Sequence, residues 1–182
     1  SKLAGECHAR AYAKTYDFPT VVLRPFNSYG PRCHHEGDSG EVIPKFMLRA
    51  LARVPMLVFG DGSQTRDFSY VEDTARGILL AGCSPNAIGQ TINLGAGEET
   101  TINDLASLIT QVTGATDTLV KHIEPRPGDI LRLYADSTRA ERLLGFRPQV
   151  DIRSGLQKLL SWYQAQGTSP EELLKDDRIK NW

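Results

Sequence analysis

The chain has 182 residues, a formal net charge of −1 and 24% charged residues, so it carries no basic field that would draw in nucleic acid. Hydrophobic residues make up 40%, ordinary for a soluble globular protein, and the length allows one large domain or one domain with an appendage. The longest apolar runs, such as Ile78 to Ala81, are too short to cross a bilayer.

Residues 2–16 read as a helix, with Leu3, Ala4, Cys7 and Ala11 near one stripe and no internal proline. Asp17-Phe18-Pro19 ends it, because proline disfavours helix at the preceding residue. Thr20 to Leu23 is a short β-branched apolar run that suits a strand buried on both faces, as in a parallel sheet. From Pro25 to Gly40 the chain reads as irregular. Ile43 to Arg53 is expected as helix, with Pro44 tolerated in the first turn. Met56 to Phe59 and Asp67 to Tyr70 read as strands around a Gly60-Asp61-Gly62 turn. Thr74 to Ala81 reads as helix, with Glu72 and Asp73 supporting its positive end.

Thr91 to Leu94 is a further strand. Ile102, Leu105, Ala106, Ile109 and Val112 form a helical apolar stripe behind a Thr101-x-x-Asp104 capping pair. Leu119 to Ile123 reads as strand. Ala140 to Leu144 reads as helix, ended by Gly145. Ser154-x-x-Gln157 is expected to cap a helix running to about Gln166, and Ser169-Pro170-Glu171-Glu172 is a helix start.

No G-x-G-x-x-G run follows a strand, so the turn that lets backbone amides meet a dinucleotide pyrophosphate is not found. Gly95-Ala96-Gly97 does follow a strand, but Glu98 and Glu99 come next and would repel a pyrophosphate, so it reads as an ordinary loop. The cysteines, Cys7, Cys33 and Cys83, are widely spaced and form no metal pattern. No signal-like segment is seen at the start, and both features point to reduced thiols in a cytoplasmic protein. Cys33-His34-His35-Glu36 offers metal donors, but consecutive residues in a loop cannot all converge on one ion, and no metal site is expected.

Three segments could carry chemistry. Leu23-Arg24-Pro25-Phe26-Asn27-Ser28-Tyr29-Gly30-Pro31-Arg32 follows a buried strand, where ligands of open α/β sheets sit; its bland alternative is a polar loop in which Asn27 satisfies a turn. Val58 to Asp73 contains Val58-Phe59-Gly60-Asp61-Gly62-Ser63-Gln64-Thr65-Arg66-Asp67-Phe68. A guanidinium fork at Arg66 matches phosphate oxygens, and the alternative is a hairpin with Arg66 and Asp67 on its solvent face. Arg126-Pro127-Gly128-Asp129 offers a second arginine and a carboxylate, or else a Pro-Gly turn that Arg126 and Asp129 bridge.

Together, in this order and spacing, these segments resemble the L-R-x-F-N-x-Y-G-P-R, G-D-G-x-Q-x-R-D-[FY] and R-P-G-D stretches of the NAD-dependent nucleotide-sugar epimerase/dehydratase family, the extended short-chain dehydrogenases. The similarity runs from Lys2 to about Pro148. Ser1-Lys2-Leu3-Ala4-Gly5-Glu6 is similar to the stretch that follows the family's catalytic Tyr, which stands four residues before a Lys; if Lys2 is that Lys, the Tyr lies upstream of Ser1. Neither Tyr12 nor Tyr16 has a Lys four residues later.

The resemblance implies an α/β fold: the last Rossmann helix and strands plus the small α/β substrate-binding domain, without the Gly-rich dinucleotide-binding half. Residues 1–40 are then a Rossmann remnant, and residues 41–182 the substrate region with a helical C-terminal part. It places Lys2, Pro25 and Phe26 beside the cofactor NAD. Asn27 falls on the substrate side, Ile43, Pro44, Lys45 and Phe46 along the base and ribose, Arg66 and Arg126 on the diphosphate, and Asp129 on the ribose hydroxyls. Phe46 is equally readable as core.

The implied ligand is a UDP- or dTDP-linked sugar. The implied function is the substrate-binding half of a UDP-glucose 4-epimerase-like enzyme, expected to be inactive and to bind no NAD as this chain alone. The alternatives are part of a 4,6-dehydratase or UDP-glucuronate decarboxylase, or a non-enzymatic nucleotide-sugar-binding module. In the parent fold, Val21 to Leu23 would pair with strands this sequence lacks, so self-association through that bare edge or the first helix is expected.

Overall fold

The structure, a computed structural model, describes residues 1–36, 41–175, 177 and 179; the last part of the expected irregular run, 37–40, lies outside them. The elements in chain order are α1 (Lys2–Tyr16), β1 (Val22–Pro25), β2 (Ser28–Tyr29), α2 (Val42–Leu51), β3 (Met56–Phe59), β4 (Thr65–Arg66), β5 (Ser69–Tyr70), α3 (Val71–Cys83), β6 (Thr91–Leu94), β7 (Thr100–Thr101), α4 (Ile102–Thr113), β8 (Val120–Ile123), α5 (Thr138–Leu144), α6 (Ile152–Gln164) and α7 (Pro170–Leu173). A 3₁₀ turn at Pro85–Ala87 separates α3 from β6. No helix among the described residues is long and apolar enough to cross a membrane.

These elements pack as two compact units, each drawn from three stretches: Ser1–Ser28, Asp67–Glu98 and Tyr134–Val150 in the first, Tyr29–Arg66, Glu99–Leu133 and Asp151–Trp182 in the second. The packing groups residues differently from a division at residue 40. The reason lies in strand pairing: β1 runs parallel to β6 with Val22 opposite Thr91 and Pro25 opposite Leu94, which draws the middle of the chain to its first residues.

In the first unit, Ala81, Ala87, Ile92, Leu94, Ala140 and Phe146 form the core, with Val21, Leu23, Leu80, Leu143 and Leu144 packed against it. The strand begins at Val22 rather than Thr20, because the ladder opens where the Val22 amide meets the Gln90 carbonyl at 2.9 Å. Among the described residues the other edge of β1 carries no paired strand. Gly77 admits α3 close to the sheet; a Cβ there would stand 2.9 Å from Leu94 Cδ1.

Helix α1 buries none of its residues. It ends where Asp17 turns left-handed at φ 53°, and polar contacts hold it in place. The Arg24 guanidinium donates twice to Glu6 at 2.7 Å, and the Thr20 hydroxyl donates to the Ala9 carbonyl at 3.2 Å. Leu3, Tyr12 and Tyr16 are more than half exposed.

In the second unit, β3 runs parallel to β8, and β4 antiparallel to β7. Helix α4 packs against α2 and α6. Ile43, Phe46, Met47, Leu48, Met56, Val58, Leu105, Ile109, Leu156 and Leu159 are buried, and Ile102, Leu105, Ala106 and Ile109 of the stripe expected in α4 are among its buried residues. Thr101 caps α4 as expected, accepting from the Asp104 amide at 2.9 Å.

Helix α6 corrects the sequence reading. It starts at Ile152 with Asp151 as N-cap, and Ser154 is the donor of its amide to that aspartate at 3.0 Å. A carboxylate three residues before the amide satisfies the first turn, and the serine hydroxyl bonds back to it at 2.6 Å. The expected strand over residues 67–70 is likewise shorter: only Ser69–Tyr70, β5, is strand, and Asp67-Phe68 is not. Helix α3 is longer than expected, starting at Val71 and taking Glu72 and Asp73 into its first turn.

Candidate functional site

The best-formed polar arrangement in the second unit grows from the turn after β3. Gly60 and Gly62 both have positive φ, 71° and 74°, and a Cβ at Gly62 would fall 2.1 Å from Asn103 Oδ1, so only glycine fits there. Asp61 closes the turn by accepting the Ser63 amide at 2.9 Å and its hydroxyl at 2.7 Å; these donors hold its carboxyl below the usual range. Gln64 is buried and donates its amide to the Phe59 carbonyl at 2.9 Å, tying the end of β3 to the start of β4. The Thr65 backbone then pairs on both sides of its peptide with Leu131 and Leu133.

This framework delivers Arg66. Its Nη1 donates to the carbonyls of Thr65 at 2.7 Å and Ile130 at 2.6 Å, and its Nη2 donates to Asp129 Oδ1 at 2.5 Å. A guanidinium has five N–H donors. Among the described residues, Nε and one of the two hydrogens on Nη2 have no hydrogen-bond partner.

Asp129 closes a turn on Arg126, its amide donating to the Arg126 carbonyl at 3.2 Å. Pro127 and Gly128, the latter at φ 70°, occupy the positions that a type II turn favours. The Asp129 carboxylate also receives the Ile130 amide at 3.0 Å and lies 3.5 Å from the Gln64 amide. Arg126 lies with its guanidinium carbon 4.9 Å from the Phe59 ring centroid, a cation–π contact.

Arg66, Gln64, Arg126 and Asp129 are thus drawn together: both arginines attach to one four-residue turn, Arg66 by its side chain and Arg126 by its backbone. Asp129 bridges to Arg66, where the bland reading of this segment had it bridge to Arg126. Phe59 and Gln64 support the arrangement and were not singled out from the sequence beyond their place in the motif. The Phe59–Arg126 contact spans 67 positions, which no local spacing encodes.

The other predicted residues fall as follows. Ile43, Pro44 and Phe46 are buried in α2, Phe46 at 3% exposure, and Lys45 pairs with Asp177 at 3.1 Å. Lys2, Pro25, Phe26 and Asn27 belong to the first unit. Lys2, Pro25 and Asn27 are exposed, the Phe26 amide donates to the Leu94 carbonyl at 2.8 Å, and the Asn27 carbonyl accepts the Ser69 amide at 3.2 Å.

Two aspartates proved more central than the sequence suggested. Asp67 is fully buried, not on a solvent face, and its carboxylate receives the amides of Ala96 at 2.8 Å, Gly97 at 3.0 Å and Ala135 at 3.2 Å. Gly95 is needed beside it, since a Cβ there would stand 2.2 Å from the Ala135 Cβ. Asp73 reaches beyond its own helix to accept the amides of Gln149 and Val150 at 2.9 and 3.0 Å. Glu99, read from the sequence as a repulsive charge, accepts from Arg132 at 2.7 and 2.6 Å and from the Thr65 hydroxyl at 2.7 Å. Arg132 first, then Thr65, hold its carboxyl down to about 2.

His34 and His35 lie 3.7 and 3.6 Å from Glu36, and no group of three or more metal-ligating side chains occurs among the described residues. All three cysteines are free thiols.

Residues 1–95 match the profile of the NAD dependent epimerase/dehydratase family. The chain is 37% identical to a UDP-glucose 4-epimerase of Mycolicibacterium smegmatis over 163 residues, 90% of this chain and 51% of that one. It is 32% identical to a dTDP-glucose 4,6-dehydratase of Escherichia coli, over 100% of this chain and 51% of that one. Among solved structures, UDP-glucuronic acid 4-epimerase of Bacillus cereus, in complex with UDP-glucuronic acid and NAD, superposes with a TM-score of 0.82 at 32% identity, covering 89% of this chain and 50% of that one. The chain spans about half the length of the curated relatives it matches. With half of the chain matching the family profile, this protein belongs to the NAD-dependent epimerase/dehydratase family.

Proposed function

We propose that this chain forms the nucleotide-sugar-binding part of a UDP-glucose 4-epimerase-like enzyme. The observation that carries the reading is the joining of Arg66 and Arg126 through one turn, Arg126 to Asp129. Two guanidinium groups suit the two charges of a diphosphate. In this reading Arg66 and Arg126 meet the diphosphate, Asp129 the ribose hydroxyls, Asn27 the sugar side, and Ile43, Pro44, Lys45 and Phe46 the base and ribose side. Lys2, Pro25 and Phe26 lie on the side of NAD.

In the Gly95–Gly97 loop the amides of Ala96 and Gly97 donate to Asp67 and that of Gly95 to the Ser137 hydroxyl, so this loop offers none to a dinucleotide pyrophosphate. In this reading no redox step is assigned to these residues. A second reading, as part of a dTDP-sugar 4,6-dehydratase, draws on the dehydratase that aligns with the whole chain.

Calorimetry with UDP-glucose and dTDP-glucose tests the assignment. Arg66→Ala should weaken binding at least tenfold, about 1.4 kcal/mol; equal affinity before and after overturns it, and the preferred nucleotide separates the two readings. The same reading expects self-association through the unpaired edge of β1 or the exposed face of α1. Sedimentation should show a concentration-dependent oligomer, and a monomer throughout the micromolar range rejects this.

A further inference from the structure

We propose that Asp129 is a specificity-determining residue that acts as an exchangeable counter-ion for Arg66. Its carboxylate occupies the guanidinium until a ligand brings both an anion to replace it and hydroxyl groups to receive it. This rests on the reading of Arg66 as a diphosphate contact.

The geometry supplies the argument. Arg66 is held from one side by the Thr65 and Ile130 carbonyls, so its plane is fixed without help from Asp129. The carboxylate contributes charge more than position, through a single contact to Nη2 at 2.5 Å. The pair is neither sealed nor fully solvated: the side chains are 17% and 24% exposed. Water and ligand can reach it, yet the pair attracts more strongly than on an open surface.

An approaching phosphate meets a guanidinium whose charge is already balanced. Two N–H groups, on Nε and Nη2, are not engaged by other described residues, but the neighbouring carboxylate repels the anion. Full engagement asks the carboxylate to give up the guanidinium. A partly buried carboxylate released in this way loses a charge-assisted hydrogen bond and needs new donors. It keeps the Ile130 amide at 3.0 Å and has only a distant contact, 3.5 Å, to Gln64. A bare pyrophosphate brings no vicinal pair of hydroxyl groups to the carboxylate. A nucleoside diphosphate brings ribose hydroxyls next to its phosphates and completes the exchange. The carboxylate therefore sets a preference for anions that carry vicinal hydroxyl groups over simple polyanions.

The test compares UDP with inorganic pyrophosphate by calorimetry on the wild-type chain and on Asp129→Asn. The amide keeps an acceptor oxygen for the guanidinium and removes the charge. Pyrophosphate should bind the variant at least fivefold more tightly than wild type, and the ratio of UDP to pyrophosphate affinity should fall at least tenfold. A general structural defect would weaken both ligands and raise neither. Pyrophosphate affinity that is unchanged or lower in Asp129→Asn overturns the proposal.

A second readout uses the wild-type protein alone. The carboxyl ¹³C signal of Asp129 must move on saturation with UDP, as its partner changes from guanidinium to hydroxyl; a stationary signal in a UDP-saturated sample overturns the exchange. If no form binds UDP, the nucleotide reading fails, and pyrophosphate alone then decides whether Asp129 screens Arg66.

Discussion

Arg66 and Asp67 are neighbours in sequence, yet they serve different units and different kinds of electrostatics. Asp67 belongs to the first unit, is wholly buried, and spends its carboxylate on three backbone amides from two distant loops. Asp73, in the same unit, does the same for residues 149 and 150. In the second unit Asp129 faces a guanidinium and remains partly exposed. Backbone amides cannot leave, so a carboxylate that accepts them is a brace. A mobile side chain can change partners, so a carboxylate paired with one can take part in binding.

The sharpest way to break this contrast is to remove each carboxylate and measure stability. Asp67→Ala removes the buried acceptor shared by the Ala96, Gly97 and Ala135 amides, of which the last is itself buried; urea unfolding should show a loss of roughly 3 kcal/mol. Asp129→Asn keeps an acceptor beside Arg66 and solvent within reach, so its loss should stay within about 1 kcal/mol. Comparable losses for the two variants would erase the distinction between brace and exchangeable partner.

The sequence already showed most of what local spacing controls. The apolar stripe of α4 and its Thr101 cap are found where expected, as are β3, β6 and the left-handed glycine after α5. The motif residues Arg66, Arg126 and Asp129 could be named because their residue types suit phosphate and their segments resemble a known family. Most of the errors share a physical source, which is contact between residues far apart in the chain. Residues 67–70 look like one strand by alternation, but Asp67 is held by amides 29 to 68 positions away. Asp73 looks like a helix-start acid, but while its Oδ1 accepts from Arg76 in the same helix, its Oδ2 takes amides 76 and 77 positions away. At α6 the error was local, since Asp151 and Ser154 both suit a cap and the carboxylate won. The interleaving of the two units follows from the β1–β6 pairing, which no short window of sequence reveals.

Glu99 provides the smallest test, because it is an arginine-paired carboxylate in the second unit with no proposed ligand role. Arg132 and Thr65 hold its carboxyl down to about 2 from 4.5. A carboxyl depressed in the folded state contributes stability that is fully present above its unfolded value and is lost as pH falls through the folded one. The window is therefore from about 4.5 down to about 2. Glu99→Gln removes that contribution, so wild type should exceed the variant in Tm most clearly above about pH 5 and converge with it towards about pH 2. Since Arg132 is largely exposed, added salt should narrow the gap. Asp129 and Glu99 then differ in what ligand does to them: UDP should leave the Glu99 acid profile in place. A profile that collapses on UDP binding would mean that both carboxylates exchange partners, and that the exchangeable region of the second unit extends to the β4–β7 ladder.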